Sequence, residues 1–353
     1  MASPRRALEI RVRGRVQGVG FRPHVHRLAT ELGLSGEVLN DGAGVLIRVS
    51  GSADVVQALL DRLAREAPPL ARVEAVEPRP YDGEIAAGFA VVASEAGMPR
   101  AEVTPDAAVC AACAAEVLDR GARRHRYPFT TCTHCGPRLS IVLGVPYDRE
   151  RTTLASFPLC APCRAEYDDV RDRRFHAEAT ACAACGPATR LVALTADAAA
   201  FGPISGEGDD VDAAARLLER GAIVAVKGIG GYQLACDATR ADVVQRLRER
   251  KRRDAKPFAV MARDLDVIRR FAEVDAVEEA ALRGADGPIV LLAARAPTAL
   301  PEALAPGLRS LGFMLPTTPL HLLLLAGFDR PVVMTSGTVS DEPQVTRDDE
   351  LAR

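Results

Sequence analysis

The sequence predicts a multidomain protein of mixed α+β and α/β class, organised around two small metal-binding modules. Three observations lead there. Residues 110–185 hold four Cys-x-x-Cys pairs: Cys110/Cys113, Cys132/Cys135, Cys160/Cys163 and Cys182/Cys185. The first ninety residues alternate strand and helix patterns in the order βαββαβ. The last hundred and fifty alternate continuous apolar strands with amphipathic helices, and they place glycines and cations at the strand ends.

A chain of 353 residues has room for roughly two or three domains. Hydrophobic residues make up 48% and charged residues 26%, which is ordinary for a soluble globular protein. The net charge of −2 gives no global pull toward nucleic acid or membrane. The N-terminus lacks an apolar signal core. The longest strongly apolar run, 320–328, is far short of the ~20 residues of a membrane span. A reducing cytoplasm is the expected compartment. Of 45 basic residues only Lys227, Lys251 and Lys256 are lysine. Either the chain keeps a compact ammonium where a planar guanidinium does not serve, or the clustering is chance.

Leu8, Ile10, Val12 and Val16 alternate with basic residues, so the chain opens on a strand with one wet face. Gln17-Gly-Val-Gly-Phe-Arg22-Pro23 follows. Its glycines let consecutive N–H groups turn inward as an anion nest, and Pro23 suits the first turn of a helix. An anion there would sit at a helix N-terminus with Arg22 beside it. Residues 36–40 and 45–49 read as a hairpin around Asp41-Gly42-Ala43-Gly44. Residues 54–66 read as an amphipathic helix, and 73–76 and 89–92 as further strands. This order is a ferredoxin-like sandwich. His24 and His26 read as helix-surface residues without a role.

Gly14-Arg-Val-Gln-Gly-Val-Gly-Phe-Arg22, followed by Asn40 at the end of the next strand, resembles the acylphosphatase signature over residues 7 to about 93. The resemblance implies that the N–H groups of Gln17, Gly18, Val19, Gly20 and Phe21 hold a phosphoryl group together with Arg22. It also implies that Asn40 orients the attacking water. Such a site stabilises charge on phosphoryl oxygens and needs no covalent nucleophile. Without the loop, Asn40 reads as a turn-starting residue.

Residues 94–105, with Gly97, Pro99 and Pro105, read as a linker, and 106–190 as two zinc modules. A Cys-x-x-Cys turn aims two thiolates at one point, and two such turns close a tetrahedral site. A shift of 50 residues lays the stretch on itself: Cys110 falls on Cys160, Glu116 on Glu166, Arg124 on Arg174 and Cys132 on Cys182. A duplicated unit that closes on itself places Cys110, Cys113, Cys132 and Cys135 on one ion. Cys160, Cys163, Cys182 and Cys185 then take a second. Interleaved pairing stays open on spacing alone. Four thiolates leave no position for water, so both ions read as structural zinc. His125, His134 and His176 are surplus to these sets. The arginines of the modules read as a solvated basic face, or one that meets a neighbouring domain or an anionic substrate. Aromatics are too sparse for a single-strand nucleic-acid binder.

Residues 200–353 read as an α/β domain. Residues 212–220 form a helix, and 222–226 a buried strand that runs into Lys227-Gly-Ile-Gly-Gly-Tyr232. Helices follow at 243–250, 265–271, 277–282 and 319–325, and strands at 258–261, 288–292 and 332–335. Glycines and cations at strand ends suit a nucleotide. Cys236 reads as a buried small residue. Lys227-Gly-Ile-Gly-Gly-Tyr, Lys251-x-Arg253-x-x-Lys256-Pro and Ser336-Gly-Thr338-Val-Ser340 look like the YrdC family, which makes carbamoyl-type adenylates from ATP. By that likeness Lys227, Lys251, Arg253 and Lys256 bind triphosphate and carboxylate, with magnesium. Ser336, Thr338 and Ser340 then form the nucleotide motif, with Thr338 where the family has Asn.

The three parts in this order resemble HypF-type carbamoyltransferases of nickel–iron hydrogenase maturation. That resemblance implies hydrolysis of carbamoyl phosphate to carbamate and its activation with ATP. It further implies transfer of the carbamoyl group to the terminal cysteine of a HypE-type partner. The YrdC-like part is expected to end early and the transfer domain to be missing. Two alternatives are a zinc-ribbon adaptor for nucleic acid or protein, and a threonylcarbamoyl-adenylate synthase. Neither needs the N-terminal phosphoryl loop.

Overall fold

The computed structural model describes residues 5–95, 100–193, 208–295, 300–338 and 342–351. Ser340 and residues 96–99 of the linker lie outside the described residues. The chain forms two compact units, one of Met1–Ala107 with Thr130–Pro187, the other of Ala108–Phe129 with Ala188–Arg353. The 94–105 segment is thus part of the first unit, and the first Cys-x-x-Cys pair is part of the second.

The first unit begins with β1 (Arg5–Arg15), α1 (Phe21–Glu31), β2 (Ser35–Asp41), β3 (Gly44–Ser52), α2 (Ala53–Arg65), β4 (Arg72–Pro80) and β5 (Phe89–Val91). The sheet order is β4-β1-β3-β2-β5, antiparallel except where β2 meets β5. Alternation sends Leu8, Ile10 and Val12 of β1 to one face, where Val25 and Leu28 of α1 and Leu59 and Leu63 of α2 close over them. His24 corrects the reading of a surface pair: it is buried, and desolvation followed by the Arg27 charge holds its imidazole down at about 4.

The fifty-residue repeat is a structural repeat. Helices α3 (Ala111–Leu118) and α4 (Ala161–Asp168) each start directly after a cysteine, Cys110 and Cys160. Arg126 and His176 both take left-handed backbone angles, φ 58° and 51°. Their N–H groups donate back to Val117 O and Tyr167 O at 2.8 and 3.0 Å. Arg124 and Arg174 are buried rather than part of a solvated basic face. Arg124 pairs with Glu116 at 3.3 Å, and Arg174 Nε donates to Thr131 O at 3.0 Å.

The second unit continues with α5 (Asp210–Glu219), β6 (Val224–Gly228), β7 (Gly231–Asp237), α6 (Ala241–Lys251), β8 (Ala259–Met261), α7 (Leu265–Arg269) and α8 (Ala276–Leu282). It closes with β9 (Val290–Ala293), β10 (Ser310–Met314), α9 (Pro319–Leu325), β11 (Val332–Ser336) and α10 (Asp348–Leu351). The sheet order is β6-β7-β11-β8-β10-β9, mixed, with β8 and β10 parallel. Both faces are covered. Val260, Phe313 and Val333 pack with Val243, Val244 and Leu247 of α6. Their strand neighbours Met261, Met314, Val332 and Met334 pack with Leu218 of α5 and Leu323, Leu324 and Leu325 of α9. Strands β7 and β10 are absent from the sequence reading. Each carries a glycine and no β-branched residue, so propensity is silent and pairing within the sheet decides. Cys236 is fully buried in β7, and desolvation pushes its thiol up to about 12.

His321 of α9 is 1% exposed, and its Nε2–H donates to Gln233 Oε1 at 3.0 Å. Desolvation lowers its pKa to about 4. The neutral ring fits and the charged ring does not, so its contribution is present above about 6.5 and is lost as pH falls toward 4. Urea unfolding of the second unit should weaken over that window by up to about 3 kcal/mol, and His321→Gln should flatten the slope. An unchanged slope in the variant would contradict this.

Candidate phosphoryl site and metal centres

The turn between β1 and α1 owes its shape to two glycines. Gly18 and Gly20 sit at φ 71° and 78°, a region that other residues rarely adopt. The N–H groups of residues 18–22 donate to no group among the described residues. They lie where a helix begins, which favours an anion. Gln17 acts through its side chain as well: Nε2 donates to Asp41 O and Gly44 O, both at 2.7 Å, which fastens the loop to the β2–β3 turn. Asn40, at the end of β2, is 1% exposed. Its Nδ2 donates to Tyr147 O at 3.4 Å, while its Oδ1 has no partner among the described residues.

Gly18, Gly20, Phe21, Arg22 and Asn40 line one cavity with Thr133, Arg138, Tyr147, His176 and Glu178. A Cβ on Gly20 would stand 3.0 Å from Thr133, so the loop has a roof contributed by residues 130–187. Arg138 ties the roof on: its Nε donates to Gly18 O, and its Nη2 donates to Cys132 O and Thr133 O, both at 3.0 Å. Arg22 is 8% exposed and doubly paired, to Asp148 at 3.0 Å and to Glu178 at 2.7 Å. Burial disfavours its charge, but the two carboxylates outweigh that and raise its pKa. Burial likewise pushes the Glu178 carboxyl up, against the pull of Arg22. Sequence reasoning missed Asp148, Glu178, Arg138 and Tyr147. Glu178 lies 156 positions from its partner, so local pattern carries no signal for it.

The second cysteine set lies wholly in the first unit. Cys160 caps α4, Cys163 is inside it, and Cys182 and Cys185 form the opposite turn. Neighbouring sulfurs stand 3.7 Å apart (Cys160–Cys182, Cys163–Cys185) and 3.8 Å apart (Cys182–Cys185). Four sulfurs about 2.3 Å from a central zinc would be spaced by about 3.8 Å, so the set fits the ion. Disulfides near 2.05 Å do not fit these spacings. Cys132 and Cys135 repeat the turn, with sulfurs 3.8 Å apart.

In the second unit Lys251, Arg253, Ser336 and Thr338 come together. Lys251 Nζ donates to Ser336 O and Thr338 O. Arg253 Nη1 donates to Thr335 Oγ1 at 3.5 Å, and the hydroxyls of Ser336 and Thr338 lie 3.2 Å apart. Desolvation, then the charges of Arg253 and Lys256, lowers Lys251 to about 8. Lys256 itself is exposed. Lys227 pairs with Asp348 and lies over the Tyr232 ring, 5.2 Å from its centroid.

Three family models match the sequence. They are Acylphosphatase over residues 8–91, HypF finger over 109–142 and 159–192, and Telomere recombination, the Sua5, YciO and YrdC group, over 216–353. Each finger match holds one set of four cysteines, and the chain carries two such groups. The carbamoyltransferase HypF of Rhodobacter capsulatus is 54% identical over 98% of this chain and 45% of its own length. The solved structure of full-length HypF in a phosphate- and nucleotide-bound form superposes with TM-score 0.92 at 39% identity, over 99% of this chain and 45% of that one. The chain belongs to the HypF family. It spans about half the length of the HypF relatives it matches. Over the first unit's sheet, the acylphosphatase of Caldivirga maquilingensis is 52% identical across 83 residues, 86% of that protein. The structure of T. kodakarensis HypF gives TM-score 0.87 at 41% identity over 98% of this chain and 44% of its own.

Purified protein is expected to carry two equivalents of zinc by elemental analysis. Cys182→Ser should carry one and should lose thermal stability, because a metal of this kind contributes on the order of 10 kcal/mol to a small site. Two retained equivalents in that variant would contradict the assignment.

Proposed function

We propose that this chain hydrolyses carbamoyl phosphate in its first unit and uses ATP in its second to activate the carbamate produced. Carbamoyl transfer in nickel–iron hydrogenase maturation is the process it serves, with a HypE-type protein as the final acceptor. The observation that carries the reading is the row of N–H groups at residues 18–22 and the Asn40 Oδ1 beside buried Arg22, none of which has a partner for its hydrogen bond among the described residues. The N–H groups and Arg22 hold the phosphoryl oxygens. Asn40 Oδ1 accepts a hydrogen bond from water and aims its oxygen at phosphorus. A new P–O bond forms as the bond to the carbamoyl oxygen breaks, and carbamate leaves with that electron pair. Phosphate is the other product, and a proton passes to solvent. Charge stabilisation and positioning supply the acceleration.

In the second unit Lys227, Lys251, Arg253 and Lys256 hold the triphosphate and the carbamate carboxylate, with Ser336, Thr338 and Ser340 at the nucleotide. Magnesium would neutralise phosphate charge there. The carbamate oxygen attacks the α-phosphorus of ATP, giving carbamoyl adenylate and pyrophosphate. Free carbamate decomposes in water, so shielding it from solvent favours the second step. Zinc, held by the two cysteine sets, stabilises the fingers and takes no part in the chemistry. The expected compartment is the cytoplasm. Among the described residues no helix is long and apolar enough to cross a membrane.

Arg22→Ala and Asn40→Ala should each lower kcat for carbamoyl phosphate hydrolysis by roughly 10²- to 10³-fold, the loss typical of an aimed donor or water-orienting group. Wild-type rates in both variants would remove the site. Lys251→Ala should abolish carbamoyl phosphate-dependent ATP–pyrophosphate exchange and leave hydrolysis intact. Exchange that depends on threonine instead would overturn the choice of substrate.

A further inference from the structure

Arg22 is reached by two carboxylates that the acylphosphatase-like stretch, residues 8–91, does not contain. Glu178 is the more deeply buried of the two, 4% exposed, and it is itself held at both oxygens. Its Oε1 accepts from Arg22 Nη2 at 2.7 Å. Its Oε2 accepts from Tyr167 Oη at 2.8 Å and Arg149 N at 3.1 Å. Its carbonyl oxygen accepts from Arg149 Nη1 at 2.6 Å, and the same guanidinium holds Thr180 O at 2.8 Å and Phe157 O at 2.6 Å.

Three members of this network, Tyr167, Glu178 and Thr180, belong to the finger that carries the second sulfur set. Tyr167 lies on α4, the helix that Cys160 caps and that contains Cys163. Glu178 and Thr180 lie four and two residues before Cys182. A guanidinium offers five donors in a rigid plane. Asp148 and Ser94 Oγ take Nη1 and Glu178 takes one hydrogen of Nη2, which leaves Nε–H and the other Nη2 hydrogen for a phosphoryl oxygen. A long side chain without those partners would sample several rotamers in the same cavity, and the geometry of phosphoryl binding would loosen.

We propose that the second finger completes the phosphoryl site, and that Glu178 is the residue that positions Arg22. This rests on the reading of Arg22 as the phosphoryl-binding cation. It gives the finger a catalytic purpose beyond its own stability.

The test is a double-mutant cycle in the full chain. Glu178→Ala, Glu178→Gln, Arg22→Ala and Arg22→Ala/Glu178→Ala are compared for kcat and KM on carbamoyl phosphate, and for inorganic phosphate affinity by calorimetry. Zinc content and thermal unfolding are followed alongside. Glu178→Ala is expected to weaken phosphate binding at least tenfold and to lower kcat/KM by about 10- to 100-fold. Glu178→Gln keeps an acceptor at the same place and should recover most of the loss. In the Arg22→Ala background, Glu178→Ala should change either quantity by less than about twofold, since its effect runs through Arg22.

Three results overturn the proposal. Tighter phosphate binding in Glu178→Ala would make Glu178 an internal competitor. Losses that multiply in the double variant would make it a general support of the fold. Unchanged constants in Glu178→Ala would give it no role. If Glu178→Ala loses zinc or fails to fold, Glu178→Gln decides: near-wild-type phosphate affinity upholds the positioning role, and affinity as weak as that of Arg22→Ala rejects it. Arg22→Ala with wild-type hydrolysis fells the reading of the site itself, a result distinct from any of these.

Discussion

Four sulfurs held 3.7–3.8 Å apart are the constraint on which the first unit's finger depends. As thiols they pack poorly, and as thiolates they repel. A divalent cation at their centre removes both difficulties, because each sulfur gives up its proton and gains a bond. The segment around them has few other resources. Helix α4 has eight residues, and only Cys163 within it is buried. The rest of the finger is turns fixed by hydrogen bonds from arginine to backbone carbonyls. With zinc at the centre of the four sulfurs, such a structure would hold its shape only while the metal stays bound.

That shape matters beyond the finger because of where its buried carboxylate falls. Glu178 of the finger and half-buried Asp148, which precedes it, meet Arg22 beside a cavity lined by the β1–α1 turn. A buried guanidinium without a counter-charge is costly, and so is a buried carboxylate. Each makes the other tolerable, and the roof over Gly18 and Gly20 follows from their pairing and from Arg138. The proposed phosphoryl site is therefore assembled from a compact α/β sandwich and from turns more than a hundred residues further along. Its open valences, the loop N–H groups and Asn40 Oδ1, are those a phosphoryl group and a water molecule would fill.

Much of this was legible in the residues. The βαββαβ order follows from alternation in β1 and from the apolar stripe of α2. The glycine loop points to the proposed anion site because glycine readily takes the turn that turns its amides inward. The fifty-residue repeat is visible in cysteines and arginines alike. Burial of Arg124 and Arg174 was not legible, since an arginine in a basic run looks solvated until its carbonyl partners are known. His24 read as a helix-surface residue, yet α1 turns it toward the inside. In the second unit β7 and β10 went unseen, because strands completed by pairing on both sides need no propensity of their own.

The sequence by itself determined the chemistry available: eight cysteines in two sets, a glycine loop with Arg22 and Asn40, and three lysines near glycine-rich strand ends. These are covalent facts, and their spacing restricts what each can reach within a few residues. Only the tertiary structure decided which groups share a cavity. It placed Glu178 against Arg22 across 156 positions and left Asn40 Oδ1 without a partner among the described residues. It also set Lys251 on the carbonyls of Ser336 and Thr338. The reason is physical: periodicity encodes which way a side chain points from its own element, whereas pairing of buried charges depends on the packing of elements that local pattern does not order.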